Sequence, residues 1–124
     1  ALKDKKLRLF EPHFRRNFIH VRDVVDCILY TINNFKKMQN NIYNAGLNSA
    51  NITKIQLAHL IKKQIKDLKL STIKGVKDPD QRNYFVSNEK LIKKGFAAKR
   101  SLDEGIKELI KGFNVKGLKI KNNY

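Results

Sequence analysis

The sequence has no tryptophan, one methionine, one cysteine and two prolines, and only 11 acidic residues stand against 27 basic ones. A single cysteine cannot close an internal disulfide, and Cys27 sits in an apolar helical pattern where a small buried thiol is ordinary. Apolar stretches run only a few residues, which excludes a membrane-spanning helix, and the Lys-rich start lacks the apolar segment of a signal peptide. A cytoplasmic setting is the expectation. His13, His20 and His59 stand far apart with no Cys or carboxylate at metal-ligand spacing, so no metal is expected. Gly-rich phosphate loops, a Ser-His-Asp grouping and paired carboxylates across a cleft are missing as well, so no complete catalytic site emerges.

What is present is enough for one core: 124 residues, 41% hydrophobic, with seven Phe and four Tyr in clear apolar periodicities. That pattern excludes a disordered polybasic tail. The formal charge of +16 raises nucleic acid as a partner. The distribution disfavours it: residues 1–62 carry 11 basic and 4 acidic groups and residues 63–124 carry 16 and 7, with no stripe. Lys outnumbers Arg 21 to 6, whereas base and phosphate forks favour Arg. The charge reads as a solvated Lys surface that still attracts a negatively charged ligand.

Along the chain, Leu7 to Phe10 form an apolar run that leaves into a loop at Glu11-Pro12 and reads as a strand. After Phe18-Ile19-His20-Val21, the residues Val24, Val25, Ile28, Leu29 and Ile32 recur with helical spacing behind Asp23, predicting an amphipathic helix that ends between Asn33 and Lys37. Ile42-Tyr43-Asn44 predicts a strand turning sharply at Gly46. Thr53 and Gln56 have capping-box spacing ahead of a helix with Leu57, Ala58, Leu60, Ile61 and Ile65 on its apolar face. Leu68, Leu70 and Ile73 predict a third strand, and Asp78-Pro79 marks a turn in the loop that follows. Ser87 is the expected cap of a short helix that stops at Gly95. Ser101 and Glu104 form a second capping box before a helix whose expected buried stripe is Ile106, Leu109, Ile110 and Phe113. Residues 114–124 lack a pattern and are expected to be a mobile basic tail. The fold class is α/β, with short strands and about four helices.

Three stretches resemble one family. Arg16-Asn17-Phe18-Ile19-His20-Val21-Arg22-Asp23-Val24 resembles the R-D-F-I-H-V-x-D-V segment of NAD(P)-dependent nucleotide-sugar epimerases and dehydratases, the extended short-chain dehydrogenase/reductase family. Ile42 to Gly46 is similar to its "(F/Y)-N-(V/A)-G" segment. Ser87 to Phe96 and Ser101 to Ile106 resemble its closing "D-x-S-K", "L-G-(W/F)" and "S-L-E-E-G-(I/L)" patterns. The resemblance covers residues 1–113 and implies the C-terminal substrate-binding part of such an enzyme, normally packed on an N-terminal Rossmann domain. The family cofactor NAD(P) and the catalytic Tyr-x-x-x-Lys belong to that other part: here Tyr30, Tyr43 and Tyr84 are followed four residues on by Asn34, Leu47 and Asn88. The opening Ala1-Leu2-Lys3 resembles the end of a family helix preceding the edge strand. No cofactor is therefore expected in this chain, and its expected partners are a nucleotide sugar and the Rossmann domain, with no membrane and with a homodimer left open for the complete enzyme.

The resemblance also implies site residues. Arg16 matches the family arginine on the diphosphate or adjoining ribose, through charge-assisted bonds worth about 1.5 to 3 kcal/mol each. The alternative is a surface arginine satisfied by water or by Asp23. Arg82, in Asp80-Gln81-Arg82-Asn83-Tyr84, resembles a second phosphate arginine, with Asp80 of the same loop also an expected substrate-binding residue, and the alternative is pairing of Arg82 with Asp80 to hold the loop. Leu9 and Phe10 fall where the family edge strand meets the nucleobase, with Phe10 favoured as core. Asp23 is expected to cap its helix and orient Arg16, and His20 to be structural. Two departures stand out: Phe10-Glu11-Pro12 replaces the family's Gly-x-Gly, and Ala98 replaces its Pro after Gly-Phe. The resulting function is binding the nucleoside diphosphate of a nucleotide sugar. A basic nucleic-acid-binding module is the alternative, and an interaction module without a ligand is a third.

Overall fold

The computed structural model describes residues 2–73, 75 and 80–115. Along the chain come β1 (Lys6–Phe10), β2 (Arg15–Asn17), α1 (Val21–Asn33), α2 (Phe35–Met38) and a 3-10 turn (Asn48–Ala50). They are followed by β3 (Asn51–Thr53), α3 (Lys54–Gln64), β4 (Lys69–Ile73), α4 (Glu89–Ile92) and α5 (Leu102–Phe113). The strands form two separate pairs. β1 runs parallel to β4, from Lys6 opposite Lys69 to Phe10 opposite Ile73, while β2 is antiparallel to β3 with Arg16 opposite Ile52. Parallel neighbours need a crossover, and α3, which packs on both β1 and β4, lies within it.

Both capping boxes form. The Thr53 hydroxyl accepts from the Gln56 N–H and the Gln56 side chain accepts from the Thr53 N–H, and Ser101 with Glu104 repeats the arrangement on α5. Helix α1 starts at Val21 with His20 as its cap: His20 Nδ1 accepts from the Arg22 N–H at 3.1 Å. The core is small. Met38, Leu91 and Phe96 form one buried cluster, covered by Cys27, Tyr30 and Tyr43. Burial pushes the Cys27 thiol up from its ordinary pKa.

Several expectations are corrected. Ile42-Tyr43-Asn44 is not a strand: Tyr43 packs on the core cluster, but Ile42 is 88% exposed, and Asn44 bonds through its side-chain amide to the Ser87 carbonyl rather than through a strand ladder. The strand of this region is β3, immediately ahead of α3. Gly46 serves close approach rather than a sharp turn, since a Cβ there would lie 1.6 Å from Asn17 Oδ1. Ser87 is not the cap of α4. The amides of Leu91 and Ile92 both bond to the Asn88 carbonyl, so the helix starts after Asn88, whose side chain is buried on Asn48. In α5 only Ile106 is fully buried; Leu109 and Phe113 are exposed because the helix packs chiefly on α3. Asp78-Pro79 and most of the 114–124 tail lie outside the described residues.

The family-like segments meet in space. Asp23 accepts from the N–H groups of Lys99 and Arg100 at 3.3 and 3.0 Å and pairs with the Arg100 guanidinium at 2.6 Å. Its assignment to Arg16 is therefore wrong: the carboxylate is turned toward the segment that leads into α5. Tyr30 donates to the Lys94 carbonyl at 2.7 Å, directly above Gly95, which has φ +101 and has space for no Cβ beneath that hydroxyl. His20 packs against Gly105, and its Nε2 lies 3.3 Å from Glu108.

Candidate anion-binding site

The middle residue of β2 carries Arg16, and the short strand delivers its side chain under the loop that begins at Asp80. NH1 of Arg16 donates to the Arg15 carbonyl at 2.8 Å and to the Arg82 carbonyl. NH2 donates to the Asp80 carbonyl at 2.8 Å and lies 3.1 Å from the Asp80 carboxylate. The ring of Tyr84 covers the guanidinium at 5.3 Å. With a side chain only 14% exposed, Arg16 is enclosed by what it holds.

Arg82 is different. Its Nε and NH2 form a fork on Asp80 at 2.6 and 3.0 Å, and its N–H closes a turn on the same carboxylate at 3.3 Å, yet the side chain is 76% exposed. That fork, above all, holds the Asp80 carboxyl down to about 2, and Asp80 in turn raises the Arg82 pKa. Two guanidinium groups thus converge on one carboxylate.

Segment 83–88 is fastened by side-chain amides. Asn83 Oδ1 accepts from the Arg15 N–H at 3.0 Å, and Asn51 takes both the N–H and the carbonyl of Val86 at 2.9 Å, as a strand neighbour would. The structure therefore joins Arg16, Asp80 and Arg82. Leu9 and Phe10 are carried by the other strand pair, reached through the Glu11–Phe14 turn; Leu9 is half-buried and Phe10 partly exposed, so Phe10 is not enclosed as core. Asn51 and Asn83 were missed in the sequence because an isolated Asn gives no signal of which backbone it serves. Tyr84 was visible within the Asp80–Tyr84 segment, though without its role over Arg16.

Elsewhere, a cavity of about 440 Å³ opens beside Asp26, Tyr30 and Lys99. An apolar groove of about 460 Å³ lies between Val21, Ile61, Leu102 and Leu109. Neither is lined by Arg16, Asp80 or Arg82. Among the described residues no His, Cys, Asp or Glu cluster is placed to hold a metal, and no helix is long and apolar enough to cross a membrane. β1 runs into a Pro-containing turn toward β2 rather than into a Gly-rich turn and a helix N-terminus.

No protein-family model matches the chain. Solved structures do. A GDP-mannoheptose C4 reductase from Campylobacter jejuni with NADP bound superposes with a TM-score of 0.73 at 22% identity, over 89% of this chain and 35% of that one. A dTDP-glucose 4,6-dehydratase from Bacillus anthracis in complex with NAD gives 0.66 at 21% identity, over 90% and 35%. An NAD-dependent NDP-hexosamine 5,6-dehydratase of tunicamycin biosynthesis gives 0.70 at 15%, over 90% and 36%. The chain spans about a third of the length of these proteins. This chain therefore has the fold of one part of the NAD(P)-dependent nucleotide-sugar reductases and dehydratases, the family its sequence motifs resemble.

Proposed function

We propose that this chain is the substrate-holding part of an NAD(P)-dependent nucleotide-sugar enzyme and that it binds the diphosphate of a nucleotide sugar. The observation that carries this is the exposed guanidinium of Arg82, fixed on Asp80 above the enclosed Arg16. An anchored fork with an open edge is the chemistry a diphosphate calls for. Leu9 and Phe10, at the end of β1, are the candidates for the nucleobase side. The cofactor and the proton-transfer groups belong to the remaining two-thirds of such an enzyme, so the chain by itself turns over no substrate.

The outer face of α1 supports the same reading. Val21, Val25, Ile28, Leu29 and Ile32 stand exposed on one helix of a Lys-rich surface, a patch suited to packing on a Rossmann domain. Calorimetric titration with nucleoside mono- and diphosphates tests the function. The expected result is a preference for the diphosphate that Arg82→Ala abolishes. Equal binding of both, or binding of DNA that weakens steeply with log[salt], overturns it in favour of a nonspecific basic surface.

A further inference from the structure

We infer that His20 is a proton-operated latch between α1 and α5: neutral, it holds one helix through each ring nitrogen, and protonated it releases α1 while keeping α5. Its Nδ1 accepts at 3.1 Å from the Arg22 N–H, one of the donors that the first turn of α1 cannot satisfy within the helix. Only a lone pair can meet an N–H there, so the proton of the neutral ring stands on Nε2. Nε2 in turn donates to the Glu108 carboxylate of α5 at 3.3 Å. The side chain is 9% exposed, and α5 comes so close that a Cβ on Gly105 would lie 3.3 Å from His20 Cδ2. The ring therefore has little room to turn over and exchange its two partners.

A second proton changes the two ends of the ring in opposite ways. It comes from solvent and takes the Nδ1 lone pair, so Nδ1 becomes a donor facing another donor and the Arg22 N–H must turn to water. The positive charge also stands at a helix N-terminus, where the macrodipole opposes it. At the other end, the Nε2–H bond to Glu108 becomes an ion pair. The charged groups around the ring are Arg22 on α1, whose NH1 lies 3.5 Å from Glu108, Arg100 ahead of α5, and Glu104, Lys107 and Glu108 on α5. Helix α3 lines the same groove with Leu57 and Ile61, which carry no charge. Release thus falls on the turn that carries Val21, the residue shared by the groove and the exposed apolar face of α1, whatever Arg82 binds.

Nitrogen-15 NMR of the full chain tests the latch between about pH 8 and about pH 5.5, where an imidazole titrates and carboxylates stay ionised. At the upper end the His20 ring is expected to carry its proton on Nε2. Protection of the Arg22 amide, corrected for the intrinsic pH dependence of exchange, is expected to fall several-fold as the ring titrates, while the amides of α5 hold. His20→Asn supplies a cap that does not titrate and is expected to keep Arg22 protected at both ends of the range. His20→Ala is expected to leave it unprotected at both.

A ring proton on Nδ1 at the upper end would overturn the latch. So would an Arg22 amide whose protection does not follow the ring, or a His20→Asn chain that loosens in acid as the unaltered chain does. Loss of protection in α5 together with α1 would mean general unfolding in place of local release, and would overturn it as well. Should His20→Ala fail to fold, the ring shifts and the asparagine variant still decide.

Discussion

Asp23 with Arg100 and Asp80 with Arg82 are both carboxylate–guanidinium pairs closed at 2.6 Å, yet the first carboxylate is 2% exposed and the second belongs to an open loop. Burial alone would push the Asp23 carboxyl up, but the Arg100 N–H and guanidinium and the Lys99 N–H outweigh it and hold it below its ordinary value. Every one of those bonds ties α1 to the chain ahead of α5. The Asp80 carboxyl is held down to about 2, chiefly by a partner that stays in solvent. The same ionic chemistry is consumed by structure in one place and left accessible in the other, and exposure distinguishes them where residue type does not.

The sharpest way to break this contrast is mutation at the buried pair. Asp23→Ala strands the two backbone N–H groups of Lys99 and Arg100 and leaves the Arg100 guanidinium with Asp26 alone, at 2.7 Å, and urea denaturation should register a loss of about 3 kcal/mol. Asp80→Ala, at a solvent-screened pair, should cost only a small fraction of that. Equal losses would dissolve the distinction. Next in size is Gly95→Ala, which places a side chain at positive φ and a Cβ 2.4 Å from the Tyr30 hydroxyl, for an expected loss of about 2 kcal/mol. Tyr30→Phe in the same background should recover part of it, since the two sites are in contact.

Ser101→Ala removes the cap of α5 and should cost about 1 kcal/mol by thermal unfolding. The smallest effect is a titration. Because the Asp80 pKa is depressed in the folded chain, its contribution is present above the unfolded value and disappears only as pH falls through about 2. Carboxyl-carbon NMR should therefore show Asp80 still ionised at pH 3. A midpoint near 4 would mean that the fork on Arg82 is not formed in solution.

Elements held by local chemistry were legible in the sequence: the Thr53–Gln56 and Ser101–Glu104 boxes, the Leu7–Phe10 strand and the left-handed Gly95 all appear where their spacing places them. Elements set by partners distant in the chain were not. Asp23 reads locally as a helix-start acid, and only folding brings Arg100 to it. Gly46 reads as a turn because nothing nearby announces the Asn17 side chain that fills its missing Cβ. The stripe on α5 shows periodicity correctly, but periodicity does not say whether anything covers Leu109. At the candidate site the residues Arg16, Asp80 and Arg82 were named through resemblance, whereas the meeting of both guanidinium groups on the Asp80 carboxylate depends on contacts that only the folded chain makes.

The parallel pairing of β1 with β4 also governs how fast this chain can reach its fold. Three helices and the other strand pair lie between the partners, so closing Lys6 onto Lys69 means ordering a long loop before any ladder bond rewards it. The helices α1 and α3 can form from contacts near in sequence, while β1 must wait with an unpaired edge. That pair begins with two lysines facing each other. Refolding should therefore accelerate as added salt screens the approaching strands, with protection of the β1 amides the last to appear.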